Sequence, residues 1–273
     1  MDAPQDELHV QRFLKSNSLK DLTNQYGIKV KEHEHFVGLN YHQIKSPKAH
    51  PITAECRSLK LHKDVNWTVA GRAFDRFFNF GESPEQYANF NMDTAVAMEK
   101  LDGSIISVWN NKVDNRWEVS SRSGLFGDTI VKPDSRKTFR DLVLDLLPNL
   151  NDLFDAFCEK DHTFIFEYIG PDNKIVTPYE RSQLVLLGIR SNVNGVYKGI
   201  DEMDIFVHYL NMHSSLSSSL SQTNIVRMPR LYDFKTVDDV VDFSRGLTSR
   251  DEGFVCWDVK SGMRVKIKSP HYV

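Results

Sequence analysis

Four short segments hold the residues that could do chemistry. In Lys100-Leu101-Asp102-Gly103-Ser104 a lysine closes an apolar stretch and an Asp-Gly turn follows at once. An amine held at the end of a rigid element is a nucleophile only when neutral, so it needs burial or a nearby cation to lower its pKa. Taken alone, such a lysine is more commonly a surface residue beside a hairpin turn. In Phe164-Ile165-Phe166-Glu167-Tyr168 a carboxylate sits in a strongly apolar stretch, where an unpaired charge is costly; a structural ion pair is the plain alternative. In Asp251-Glu252-Gly253 an acidic pair precedes a glycine, which permits close backbone approach to a ligand or simply a solvated turn. In Arg264-Val265-Lys266-Ile267-Lys268 three cations alternate with apolar residues. On a strand they share one face and repel each other unless an anion lies opposite. Phosphate is the natural candidate, and a solvated basic edge is the alternative.

The elements that must hold these residues are mostly strands. Apolar spacing predicts a helix over Gln5–Tyr26, stopped by Gly27, and a strand pattern from Ile28. Strands are expected at Cys56–His62 and Trp67–Phe74, and a helix start at Ser83-Pro84-Glu85 with Ser83 as cap. Strands Thr94–Lys100 and Ser104–Asn110 flank Leu101-Asp102-Gly103, which reads as a tight turn, and Trp117–Ser121 follows. Arg136–Cys158 is helical with a break at Pro148, and Thr163–Ile169 and Gln183–Arg190 are buried strands. The serine-rich run from His213 to Ser221 is a surface loop or weak helix end. Val237–Phe243 predicts a short helix, and Gly253–Val259 and Arg264–Lys268 predict strands joined at Ser261-Gly262. The fold class is α+β, with antiparallel sheets and helices packed outside. The chain reads as one domain, with residues 1–50 its least defined portion.

Composition narrows the setting. The 273 residues are 40% hydrophobic and 26% charged, as in soluble globular proteins. No run approaches the roughly 20 apolar residues of a membrane helix, and the acidic start is unlike a signal peptide. A cytoplasmic setting is expected. Cys56, Cys158 and Cys256 are scattered and lack zinc spacing, so they read as reduced buried thiols. A net charge of −3 means that nucleic-acid contact must come from a local basic surface, as in an enzyme gripping a short stretch around a break.

In this order, the four segments resemble the motifs of the covalent nucleotidyltransferase superfamily of DNA ligases, RNA ligases and mRNA capping enzymes. Lys100-Leu101-Asp102-Gly103 matches its Lys-x-Asp-Gly motif, and Glu167, Glu252-Gly253 and Lys266-Ile267-Lys268 match the later ones. Phe77-Phe78-Asn79-Phe80-Gly81-Glu82, the run Phe166-Glu167-Tyr168-Ile169-Gly170-Pro171-Asp172-Asn173-Lys174-Ile175-Val176, and the ending Lys266-Ile267-Lys268-Ser269-Pro270-His271-Tyr272 resemble the phage RNA ligase 1 group in particular. The resemblance runs from about Cys56 to the end.

The resemblance implies a nucleotidyltransferase (adenylyltransferase) domain in which Lys100 takes AMP from ATP with Mg2+ or Mn2+. It implies that Arg57 contacts the nucleotide and that Asp102 and Gly103 shape the turn. Lys266 and Lys268 would grip the α-phosphate, Glu252 would hold the metal through water, and Glu167 and Asp102 would lie near the ribose or metal. Tyr272 would lie near the nucleotide, and backbone groups of Glu99 or Leu101 would help at the base. Arg122 stands where the family often has a lysine, and arginine is not an equivalent point charge. The partners implied are RNA with 5′-phosphate and 3′-hydroxyl ends, nicked tRNA among them, in RNA repair. A DNA ligase or capping enzyme would carry an OB-fold after the lysine pair, and none is legible here; a C-terminal specificity domain is expected to be absent. A non-catalytic RNA-binding relic is the remaining alternative, opposed by the intact Lys100, Glu167, Glu252, Lys266 and Lys268.

Overall fold

The computed structural model describes residues 7–132, 136–173, 177–216, 224–248 and 251–271. The predicted first helix is two: α1 (His9–Ser16) and α2 (Leu19–Tyr26). Ser18 makes the break. Its hydroxyl accepts from the Asp21 N–H at 3.0 Å while the Asp21 carboxylate accepts from the Ser18 N–H at 2.9 Å, a reciprocal cap that starts a new helix. Gly27 ends α2 as expected, its N–H donating to the Thr23 carbonyl. Strands β1 (Lys29–Glu32), β2 (Phe36–Asn40), β3 (Leu59–His62) and β4 (Val69–Arg72) form an antiparallel sheet in sequence order, with α3 (Pro51–Glu55) inserted. Val10, Leu14, Leu22, Val37, Leu39 and Leu61 form the core between the helices and this sheet.

On the other face of that sheet Lys60 is buried, donating to the Ser58 carbonyl at 3.2 Å and hydroxyl at 2.9 Å. Burial pushes its amine down to about 7. The folded pKa is depressed below 10.5, so the associated stability is present above 10.5 and is lost as pH falls through about 7. Lys60→Met is therefore expected to raise the melting temperature by about 5 °C or more at pH 6 and by much less near pH 10. Scanning calorimetry at the two pH values checks this.

The rest of the chain builds two further sheets around a cleft. Ser83-Pro84-Glu85 opens only a short 3₁₀ turn, Pro84–Tyr87; the Ser83 hydroxyl donates to Glu85 instead of capping a helix. Next come β5 (Ala95–Glu99), β6 (Ser104–Asn111) and β7 (Arg116–Ser121), then a small ribbon of β8 (Ile130–Lys132) and β9 (Lys137–Thr138). Helices α4 (Phe139–Leu146) and α5 (Leu150–Phe157) follow. The predicted helical span thus starts later, because Thr138 caps it by accepting from the Asp141 N–H. Strands β10 (His162–Ile169) and β11 (Gln183–Ser191) and helix α6 (Ile200–His213) come next. The chain then forms β12 (Val226–Arg227), β13 (Leu231–Tyr232), α7 (Val237–Ser244), β14 (Gly253–Asp258) and β15 (Arg264–Lys268). Part of the serine-rich run lies outside the described residues.

The sheet order β12-β11-β10-β6-β7 makes one wall, and β13-β5-β14-β15 makes the other. Along β10, Phe164, Phe166 and Tyr168 pack under α4, α5 and α6, so Ile165, Glu167 and Ile169 point to the opposite side. In the second sheet Ala97, Phe254, Cys256 and Ile267 pack against α7, which leaves Met98, Lys100, Val255 and Lys266 on the other face. The cleft lies between these two faces. The expected tight turn at Leu101-Asp102-Gly103 is not a hairpin: β5 pairs with β13 and β14, whereas β6 pairs with β7 and β10. The segment carries the chain from one sheet to the other. Among the described residues no helix is long and apolar enough to cross a membrane. The three cysteines are free thiols. Trp109 and Phe166 are core residues, 0% and 1% exposed.

Candidate active site

The crossover segment is pinned to both sheets. The Lys100 N–H donates to the Gly253 carbonyl at 2.9 Å in one, and the Gly103 N–H donates to Glu167 Oε1 at 3.1 Å in the other. Between them the Asp102 N–H donates to the Tyr179 hydroxyl at 3.0 Å, and Asp102 Oδ2 accepts from the Thr177 N–H at 2.6 Å. Gly103 must be glycine: a Cβ there would lie 2.2 Å from the Tyr168 carbonyl oxygen. Gly253 is fixed twice over, by φ of +129° and by an Ile267 oxygen 2.1 Å from any Cβ. These contacts deliver the Lys100 amine into the cleft, where it is ion-paired with Glu252.

The cleft is a cavity of about 550 Å³ lined by Arg57, Glu99, Lys100, Leu101, Asp102, Gly103, Glu167, Glu252 and Lys266 among others. The size suits a small-molecule ligand. All the site residues expected from the sequence are here except two. Lys268 lies at the exposed end of β15 and does not line the cavity. Tyr272 lies outside the described residues. Glu99 is at the cavity wall, but its carboxylate is taken up by Arg227 at 2.5 Å and the Arg230 N–H at 2.9 Å, and its own N–H donates to the Arg230 carbonyl. Leu101 packs with Ile169 and Val185.

Charge is unevenly compensated. Burial pushes the Glu167 carboxyl up to about 8; Lys100 opposes this and Glu252 adds to it. Burial, then Arg57, Lys100 and Lys268, push the Lys266 amine down to about 8. Burial and Arg122 likewise lower Arg57. Neither Arg57 nor Lys266 has a carboxylate within ion-pair distance among the described residues. Both instead overlie the Phe77 ring, at 5.5 and 5.1 Å. The wall thus presents cations held without counter-ions, a setting for an anionic ligand.

Some contributors were not visible as site residues in the sequence. Phe77 is placed because its segment runs beside β15: the Lys266 N–H donates to the Phe78 carbonyl at 3.0 Å and the Phe80 N–H to the Lys266 carbonyl at 2.8 Å. Met98, Ile105, Leu187 and Val255 give the apolar wall; for Met98, alternation with Lys100 was the available signal. Arg122 is at the rim, its guanidinium 5.3 Å from the Tyr41 ring centre. The expected row of cations on β15 grades from buried Arg264 to exposed Lys268. Among the described residues Arg264 has no carboxylate partner; Phe74, Tyr197 and Trp257 surround it at 4.0, 4.4 and 4.7 Å, and aromatic faces stabilise the charge.

A family model described as RNA ligase matches residues 55–272. A relative from Autographa californica nuclear polyhedrosis virus, named as a bifunctional polynucleotide kinase/RNA ligase, is 30% identical over 284 residues, covering 97% of this chain and 37% of its own length. An archaeal ATP-dependent RNA ligase has the same fold, with TM-score 0.59 and 15% identity over 92% of this chain and 61% of that one. The RNA ligase of Naegleria gruberi, solved with ATP and Mn, gives TM-score 0.55 and 14% identity, covering 72% of this chain and 56% of the other. The chain spans 37% to 62% of the length of the curated relatives it matches. With the lysine, the two glutamates and the β15 lysine brought to one cleft inside the matched span, the chain belongs to the RNA ligase family of the phage RNA ligase 1 type.

Proposed function

We propose that this chain is the adenylyltransferase domain of an ATP-dependent RNA ligase. The observation that carries the reading is the Lys100 amine, delivered between two sheets to a cavity walled by otherwise uncompensated cations. The apolar wall of Met98, Ile105, Leu187 and Val255 takes the base, and Arg57 and Lys266 take the phosphates. Lys100 leaves Glu252, gives up its proton and attacks the α-phosphorus of ATP. A P–N bond forms as the bond to the β-phosphate oxygen breaks, releasing pyrophosphate. Glu252, already in contact with the amine, is the nearest acceptor for the proton. Arg57 and Lys266 neutralise charge on the transferring phosphate. A 5′-phosphate of RNA then displaces Lys100, and a 3′-hydroxyl displaces AMP.

The residues fit a hard divalent cation. Glu167 and Glu252 are close enough for one to raise the pKa of the other, and such oxygen donors suit Mg2+ or Mn2+. Among the described residues no group of three or more His, Cys, Asp and Glu could hold a metal alone, so phosphates and water would complete the shell. Contact with Lys100 favours Glu252 holding the ion through water. Asp102 and Glu167 each have one oxygen committed to a backbone N–H, of Thr177 and Gly103 respectively, so the two rank equally as direct donors. When bound, the ion supplies positive charge against the phosphates.

The cellular role that fits is repair of broken RNA, nicked tRNA included, in the cytoplasm, by this single domain with any substrate-selecting region outside it. The test is incubation with α-labelled or γ-labelled ATP and magnesium, followed by a denaturing gel and by addition of 5′-phosphorylated RNA. Label from the α position alone, lost on adding pyrophosphate or passed to RNA, is the expected result. RNA binding with no label on pyrophosphate-treated protein would favour the non-catalytic relic, and label from GTP would favour capping chemistry.

A further inference from the structure

A second groove, of about 390 Å³, opens beside the catalytic cavity and is lined by Lys29, Lys31, Tyr41, Gln43, Arg122 and Ser123 among others. Arg122 and Ser123 line both spaces, so the groove and the cavity share a rim. Among the described residues the groove wall contains no carboxylate. Lys29 and Lys31 are exposed on the edge strand β1, on one face by alternation. Across the groove Tyr41 is flanked by Arg76 and Arg122, at 4.6 and 5.3 Å from its ring. None of these four cations has an ion-pair partner among the described residues, and Arg76 Nη1 is buried without a hydrogen bond.

In a chain of net charge −3, three groove-lining cations without an ion-pair partner among the described residues, Lys29, Lys31 and Arg122, complement a polyanion. A groove of about 390 Å³ suits one strand with its backbone along the lysines. Most of the wall precedes residue 55, where the matched family span begins.

We propose that this groove is the path of a single RNA strand whose end lies in the catalytic cavity, with Lys29 and Lys31 holding its phosphates. The proposal rests on the ligase reading above.

The test compares Lys29→Gln/Lys31→Gln with the unmodified chain in two assays: self-labelling by α-labelled ATP, and fluorescence binding of single-stranded and blunt duplex 5′-phosphorylated RNA over a salt series. Labelling and melting temperature are expected to stay within about twofold and about 2 °C, since both side chains are exposed. Affinity for the single strand is expected to fall about tenfold at physiological salt, and the slope of log K against log salt to flatten by about 1.4, two phosphate contacts being lost. Unchanged single-strand affinity and slope, or a loss confined to the duplex, would overturn the proposal. Absence of labelling in the unmodified chain would instead overturn the ligase reading, while the binding series still decides the groove.

Discussion

Lys100→Ala is expected to abolish AMP transfer to the protein, by a factor on the order of 10³ or more. Among the described residues no other amine in the cleft is positioned as Lys100 is: Lys266 is held over Phe77 on β15, two strands from β5, and Lys268 does not line the cavity. The same substitution strips Glu252 of its ion-pair partner. The two side chains are 19% and 10% exposed, so the orphaned carboxylate costs about 3 kcal/mol. Lys100→Arg separates the two roles. It restores a cation beside Glu252, and with it most of the melting temperature, but supplies no usable nucleophile. A labelled Lys100→Arg protein would refute the assignment. Equal melting temperatures for Lys100→Ala and Lys100→Arg would show that the ion pair carries no stability.

Glu167→Gln should give the largest pH-dependent change in stability. Burial raises the carboxyl from 4.5 to about 8. The sign follows from the raised folded pKa: the stability tied to the neutral form is complete below 4.5 and is lost as pH rises through about 8. A glutamine keeps the shape and never ionises. Thermal scans should therefore show the two proteins alike near pH 4.5, and Glu167→Gln the more stable near pH 9, by something on the order of 3 kcal/mol, or about 6–12 °C. The gain comes with lost labelling, since the amide cannot serve as an anionic oxygen donor. A parallel pair of melting curves across this range would show that Lys100 already neutralises Glu167.

The contrast between what the sequence disclosed and what it withheld has a physical basis. Glu167 and Lys266 were legible because each sits on a strand where alternation decides which way it faces, and Lys100 and Glu252 because each directly adjoins one, after the end of β5 and before the start of β14. The crossover at Leu101-Asp102-Gly103 was not, because an Asp-Gly pair suits a hairpin equally well. What separates the cases is the partner of β5, which is β14, far along the chain. Helix α6 left little signal because apolar residues lie all round it, with Ile205 and Met212 exposed at 61% and 64%. Arg264 followed alternation and has Trp257 as its cross-strand neighbour, but Phe74 and Tyr197 come from distant segments, a grouping set by tertiary packing. Phe77 was noticed for its neighbours in sequence, yet its place under two cations depends on pairing with β15.

The nucleophile sits on a strap fastened at both ends to different sheets, by the Lys100 N–H to Gly253 and by the Gly103 N–H to Glu167. Such a strap works as a lever whose fulcrum is the contact between the sheets. The spacing between the amine and the β10 carboxylate is therefore set by how the two walls pack against each other. The distance of attack is then a mechanical property of the inter-sheet core. A substitution at a wholly buried residue such as Trp257 can throttle the chemistry while touching none of the reacting groups.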